Sequence, residues 1–176
     1  MQRSTRLSTP ERSNATFPFA PTHFNPPTTV ILKGKVMRIL APVDGSRTAL
    51  KALKHACKLM RNFAGLKVTL VSVHDDVALR NARSLVGSKA VDDYLHQLSE
   101  KDLDAARKML DKEEIAYTVE IRTGHVAQEI VELADSEQFD LIVMGNKGRS
   151  ALRDLLIGSV AQRVLAQART PVLLVK

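Results

Sequence analysis

The stretch "MGNKGRSALRDLLIGSVAQRV", Met144 to Val164, holds Gly145, Gly148 and Gly158 with two and nine residues between them. Ser159 follows the last glycine, and Lys147 and Arg149 flank the middle one. Glycine has no Cβ, so Gly145 and Gly148 would let a ligand approach the backbone closely. Gly158-Ser159 leads into a helical pattern that starts near Val160. A helix N-terminus offers unpaired N–H groups and a partial positive charge, which suits phosphate. The Ser159 hydroxyl can donate to a phosphate oxygen, and Lys147 and Arg149 would add mobile positive charge at the rim. A second group of interest is Pro42-Val43-Asp44-Gly45-Ser46, which ends an apolar run. Asp44 there can accept hydrogen bonds from ribose hydroxyls or an adenine amine, or brace the turn before Ser46. Two other phosphate signatures are absent, namely G-x-x-x-x-G-K-[ST] and, after the first strand, G-x-G-x-x-G.

These residues need a scaffold, and the chain from Val36 onward supplies a regular one. "RILAPVD" reads as a strand, followed by a helical stripe of Leu50, Leu53, Ala56, Cys57, Met60 and Phe63. "KVTLVSVHD" is a second strand. A long amphipathic helix over Val91–Glu114 follows, with Val91, Tyr94, Leu95, Leu98, Leu103, Ala106, Met109 and Leu110 inward. "YTVEIR" alternates as a half-exposed strand should, and Gly124 opens a helix with Val126, Ile130, Leu133 and Ala134 on one face. "DLIVMG", the glycine stretch, the helix "SVAQRVLAQA" and the strand "PVLLV" complete the chain. Strand and helix alternate through five strands, which implies an open parallel sheet with helices on both faces. The third strand alternates and suits an edge, while strands one, two and four are continuously apolar and suit the interior. In the order 3-2-1-4-5, ligands bind beyond the carboxyl ends of strands one and four, where the order reverses. Asp44 and Gly145 stand at those ends.

The motif G145-x2-G148-x9-G158-S159 resembles the nucleotide-binding motif of the universal stress protein family. "ILAPVDGS", "DLIVMGNKGRS", "LLIGSVAQRVL" and "TPVLLVK" resemble family segments in the same order, so the likeness covers Val36 to Lys176. Asn146-Lys147 stands where many relatives have Thr-His or Ser-His. The resemblance implies a flavodoxin-like (Rossmann-like) sheet and a homodimer that binds ATP, or AMP, with Mg2+ on the phosphates. By position, Pro42, Val43, Asp44 and Val73 would border the adenosine, and Met144 and Gly145 would lie near the ribose. Lys147, Gly148, Gly158, Ser159 and Val160 would hold the phosphates. The implied role is a stress-response or signalling protein whose nucleotide state tunes a protein partner, with hydrolysis slow at most. Alternatives are a structural homodimer of the same fold without nucleotide, and a small adenylating α/β enzyme.

Plainer roles compete for several residues. Ser159-x-x-Gln162 reads as a capping box, a role compatible with phosphate contact. Cys57 sits on the apolar stripe of its helix and reads as a packing residue. His74-Asp75-Asp76 could suggest metal ligation, but without a further clustered ligand it reads as a solvated strand end. His55, His96 and His125 are scattered, and no Ser-His-Asp or Cys-His arrangement can be assigned. The final strand is apolar at Val172, Leu173, Leu174 and Val175 yet falls at a sheet edge, so pairing with the same strand of a second molecule is expected.

The net charge of +7 splits into +4 for residues 1–35 and +3 for the remainder. The body is only mildly basic, which argues against a nucleic-acid binder. No apolar run is long enough to span a bilayer. One cysteine permits no internal disulfide and fits a reducing, cytoplasmic setting. Residues 1–35 carry five of the seven prolines and no apolar periodicity, so they read as a disordered extension before a single domain over 36–176. Their acid-poor start also loosely resembles an organelle transit peptide, and translation starting at Met37 is a third reading.

Overall fold

The computed structural model describes residues 36–61, 63, 65–75, 83, 87–149 and 156–176. The readings of residues 1–35 lie outside these. Strands β1 (Met37–Pro42), β2 (Leu66–His74), β3 (Tyr117–Thr123), β4 (Leu141–Gly145) and β5 (Val172–Val175) form one sheet. Every neighbouring pair is parallel, and the order is β3-β2-β1-β4-β5, as the sequence predicts. Helices α1 (Arg47–Leu59), α2 (Ser88–Lys112), α3 (Val126–Ser136) and α4 (Ser159–Gln167) occupy the crossovers.

Alternation along the central strands decides which helix covers which face. Leu40, Val71, Ile142 and Met144 pack with Ile130, Leu133 and Ala134 of α3 and with Ala161 and Val164 of α4. On the opposite face Ala41, Val68 and Leu70 pack with Leu53 and Cys57 of α1 and with Leu103, Ala106 and Leu110 of α2. Ile39 and Val143 complete that face beneath Ala52 and Ala56 of α1. Both faces of β1, β2 and β4 are therefore covered, whereas β3 is half-exposed along its length. In β5, Val172 and Leu174 lean on one core, Leu173 and Val175 on the other, and all four stay half-buried.

Several helical details depart from the simple periodic reading. Phe63 lies past the end of α1 and is 43% exposed, because the helix stops at Leu59. Tyr94 is 59% exposed. The inward positions of α2 include two polar residues, Ser99 and Asp102, which are 0% and 3% exposed. Cys57 is buried as expected. Burial, and next the Glu113 carboxylate, push its thiol pKa up to about 11.

His74 is not a solvated strand end. It is buried, and its Nε2 lies 2.7 Å from Ser99 Oγ and 3.2 Å from Ser72 Oγ. A polar ring inside the fold needs such partners, and α2 supplies the serine that makes the position tenable. Burial lowers its pKa; Asp102 opposes that shift and Arg149 adds to it. Asp75 beside it is exposed, and no group of three or more His, Cys, Asp or Glu among the described residues could hold a metal ion.

Candidate functional site

Strand β1 runs to β2 on one side and to β4 on the other, so the connections diverge at its carboxyl end. A cavity of about 460 Å3 opens there, within the range of roughly 300–1,000 Å3 usual for small-molecule sites. Pro42, Val43 and Asp44 line it from the end of β1, Val73 from β2, and Met144 and Gly145 from β4. Lys147, Gly148, Gly158, Ser159 and Val160 line it from the glycine stretch. All eleven residues singled out in the sequence thus meet in one space. Val71, Val126, Ile130 and Ala161 add apolar wall that motif reading missed. Their signal was only that of core residues, and nothing in their spacing marked them as lining.

The two walls differ in chemistry. One is hydrocarbon, from Val43, Val73, Val126, Ile130 and Met144. The other is backbone and charge. Gly158 is the N-cap of α4 and Ser159 its first residue. The first-turn N–H groups of Ser159, Val160 and Ala161 therefore have no intrahelical acceptor. The capping box is not formed, because helix α4 begins one residue early. The Gln162 N–H bonds the Gly158 carbonyl at 3.0 Å, and the Gln162 side chain reaches Ile157 O at 3.4 Å. Ser159 is left without a capping duty.

The glycines serve reasons other than ligand approach alone. A Cβ on Gly145 would lie 2.8 Å from the Thr48 carbonyl carbon and 3.0 Å from the Ala49 nitrogen. Gly145 is thus required by the first turn of α1, which passes over it. A Cβ on Gly148 would lie 2.7 Å from Asp44 Oδ2. At Gly158 the nearest atom would be Asn146 O at 3.5 Å, an ordinary contact. Only the last glycine leaves space to spare.

Asn146, which sequence reading left without a structural role, ties the loop together. Its buried side chain donates to Leu156 O at 2.8 Å, and its carbonyl accepts the Gly158 N–H at 2.7 Å. Its own N–H bonds Val175 O at 2.8 Å. Thr48 Oγ1 donates to the Lys147 carbonyl and fixes the loop to α1.

Asp44 braces its turn, as one reading held: Oδ1 accepts the Ser46 N–H at 3.1 Å. Its Oδ2 accepts the Arg149 N–H at 3.0 Å, so the carboxylate also joins the two sides of the cavity. Each oxygen keeps a lone pair for a ligand hydroxyl or amine. Arg149 also lines the cavity, but it is not mobile charge: its guanidinium is paired with buried Asp102 at 2.7 Å.

A family model described as the universal stress protein family matches residues 35–176. The chain belongs to the universal stress protein family. Universal stress protein MJ0531 of Methanocaldococcus jannaschii is 35% identical over 141 residues, covering 79% of this chain and 81% of that one. The solved structure of MJ0577 from the same organism is 30% identical, with a TM-score of 0.66 over 79% of this chain and 94% of that one. A universal stress protein from Arabidopsis thaliana solved with AMP bound shares the fold, with a TM-score of 0.55 at 15% identity. That likeness covers 80% of this chain and 91% of the Arabidopsis one.

Proposed function

We propose that this universal stress protein binds an adenine nucleotide, ATP or AMP, in the cavity between β1 and β4. The observation that carries the reading is the division of one cavity into an apolar wall and an amide-rich wall. A flat, weakly polar base fits against Val43, Val73, Ile130 and Met144. Asp44, between the walls, suits the ribose hydroxyls. The phosphates would then reach the Gly148 backbone, the Ser159 hydroxyl and the first-turn amides of α4, where partial positive charge favours anions. The donor set fits such a group. Mg2+ would arrive on the phosphates and neutralise part of their charge.

The reading is of a binding protein. Among the described residues no histidine lines the cavity, and His74, next to Val73 on β2, is engaged by two serines. Asp44 holds two backbone amides, which suits it to positioning more than to proton transfer. We further propose a cytoplasmic homodimer whose nucleotide state tunes its grip on a protein partner. Support for the dimer comes from β5, which among the described residues pairs with β4 alone at the sheet edge.

Mass spectrometry of small molecules released from the purified, denatured protein tests the first claim. An adenine nucleotide near one per chain is expected, together with ATP binding in calorimetry. A protein that releases none and takes up none would instead favour the structural homodimer without nucleotide. An adenylated product formed from ATP and an acceptor would favour the enzyme reading.

A further inference from the structure

Asp102 sits midway along α2, on the face that buries Leu95, Leu103 and Ala106. It is 3% exposed, and a carboxylate placed so deep requires a partner. Arg149 Nη1 supplies one, 2.7 Å from Asp102 Oδ1. The same oxygen lies under the turn between β1 and α1. A Cβ on Gly45, whose φ is +73°, would come within 2.8 Å of it. One buried acid therefore touches both lips of the cavity: the turn that carries Asp44 and the loop that carries Gly148. The lips are joined a second time where the Arg149 N–H bonds Asp44 Oδ2. Arg149 is fastened at both ends, by its amide to the turn after β1 and by its guanidinium to α2.

We propose that Asp102 is a positioning residue of this site, holding Arg149 so that the glycine loop closes on Asp44. Arg149 then serves as an anchor and not as a phosphate ligand. The proposal rests on the nucleotide reading above. Its physical basis is a comparison of two pairings. Moving the guanidinium to a phosphate would strand the Asp102 charge in the interior, a heavy cost. Asp102, buried as it is, has no solvent to fall back on, whereas a phosphate in the open cavity keeps water and the α4 amides as partners.

The test uses the full chain with Asp102→Asn, Arg149→Gln and both together. Amide hydrogen exchange is followed at residues 43–49 and 144–149, with β3 as the control. Calorimetry measures ATP and AMP affinity. Each single change should speed exchange at both lips by about tenfold or more and leave β3 unchanged. Each should weaken ATP and AMP by the same factor, and the double variant should be no worse than either single, as for one unit. A loss in Arg149→Gln that is much larger for ATP than for AMP, and missing in Asp102→Asn, would make Arg149 a phosphate ligand and overturn the proposal. Unchanged exchange at the lips, or equal acceleration in β3, would also overturn it. If the wild type binds neither nucleotide, the calorimetry defeats the nucleotide reading, while the exchange data still decide whether the clamp exists.

Discussion

Gly145 and Gly158 belong to one motif but answer to different neighbours. A methyl group at 145 meets the backbone of α1 at 2.8–3.0 Å, and backbone cannot swing aside. Gly145→Ala should therefore cost about 1–3 kcal/mol, typical of overpacking. Gly158→Ala meets nothing closer than 3.5 Å, so its cost is that of a poorer N-cap for α4, about 0.5–1 kcal/mol. Gly158→Val, which adds bulk beside the first turn of α4, should keep the fold and lose ATP binding. Chemical denaturation and calorimetry on the three variants separate these outcomes; full ATP affinity in the valine variant would remove Gly158 from the phosphate path. His74 supplies a pH prediction. Its pKa falls below the ordinary 6.5 on folding, chiefly because it is buried. The unfolded chain then binds more protons as pH drops below about 6.5, so stability is full above that value and declines beneath it. His74→Gln keeps a partner for the serines and should flatten the decline between pH 7.5 and 5.5. Equal slopes in variant and wild type would rule this out. The motif residues were legible because glycine, serine and aspartate at fixed spacing point to a loop, a helix start and a turn. Ser99, Asp102 and the burial of His74 were not legible, since a polar residue on an amphipathic helix or at a strand end is ordinarily read as facing water. Only the tertiary pairing of α2 with β2 and the loop reverses that.

At the scale of elements, alternation between strand and helix carried the fold, and continuous apolarity in β1, β2 and β4 against alternation in β3 carried the order. Helix ends were less readable. α1 stops at Leu59 and leaves Phe63 outside, and α4 starts at Ser159 because Gly158 takes the cap. The edge strand β5 bears the assembly prediction. Its side chains already lean on both cores, and among the described residues no strand pairs with its outer row of N–H and C=O groups. A second β5, antiparallel across a two-fold axis, would satisfy them. Sedimentation at micromolar concentration should then give twice the 19.4 kDa chain mass. β5 amides should also exchange more slowly than those of the opposite edge, β3. A monomer with equally fast exchange at both edges would eliminate the model.

At the scale of the molecule, the sheet, both helical layers and the cavity lie within residues 36–176. A chain shortened to begin at Val36 should melt within about 3 °C of full length, a shift worth less than about 1 kcal/mol. It should also bind ATP with unchanged affinity. A large drop in either would show that the first 35 residues dock on the domain.

Cys57 gives the molecule a built-in clock. The thiol is the chain's only one, it is enclosed between α1 and the sheet, and its pKa of about 11 leaves it almost wholly protonated at neutral pH. A thiol-reactive dye can reach it and find thiolate only when the α1–α2 layer opens. The rate of labelling then counts openings, in native buffer and with no denaturant. A ligand that binds only the closed form must slow the count in proportion to its occupancy of the site. One cysteine, buried for packing between α1 and α2, would thereby report whether the cavity at the strand ends is filled.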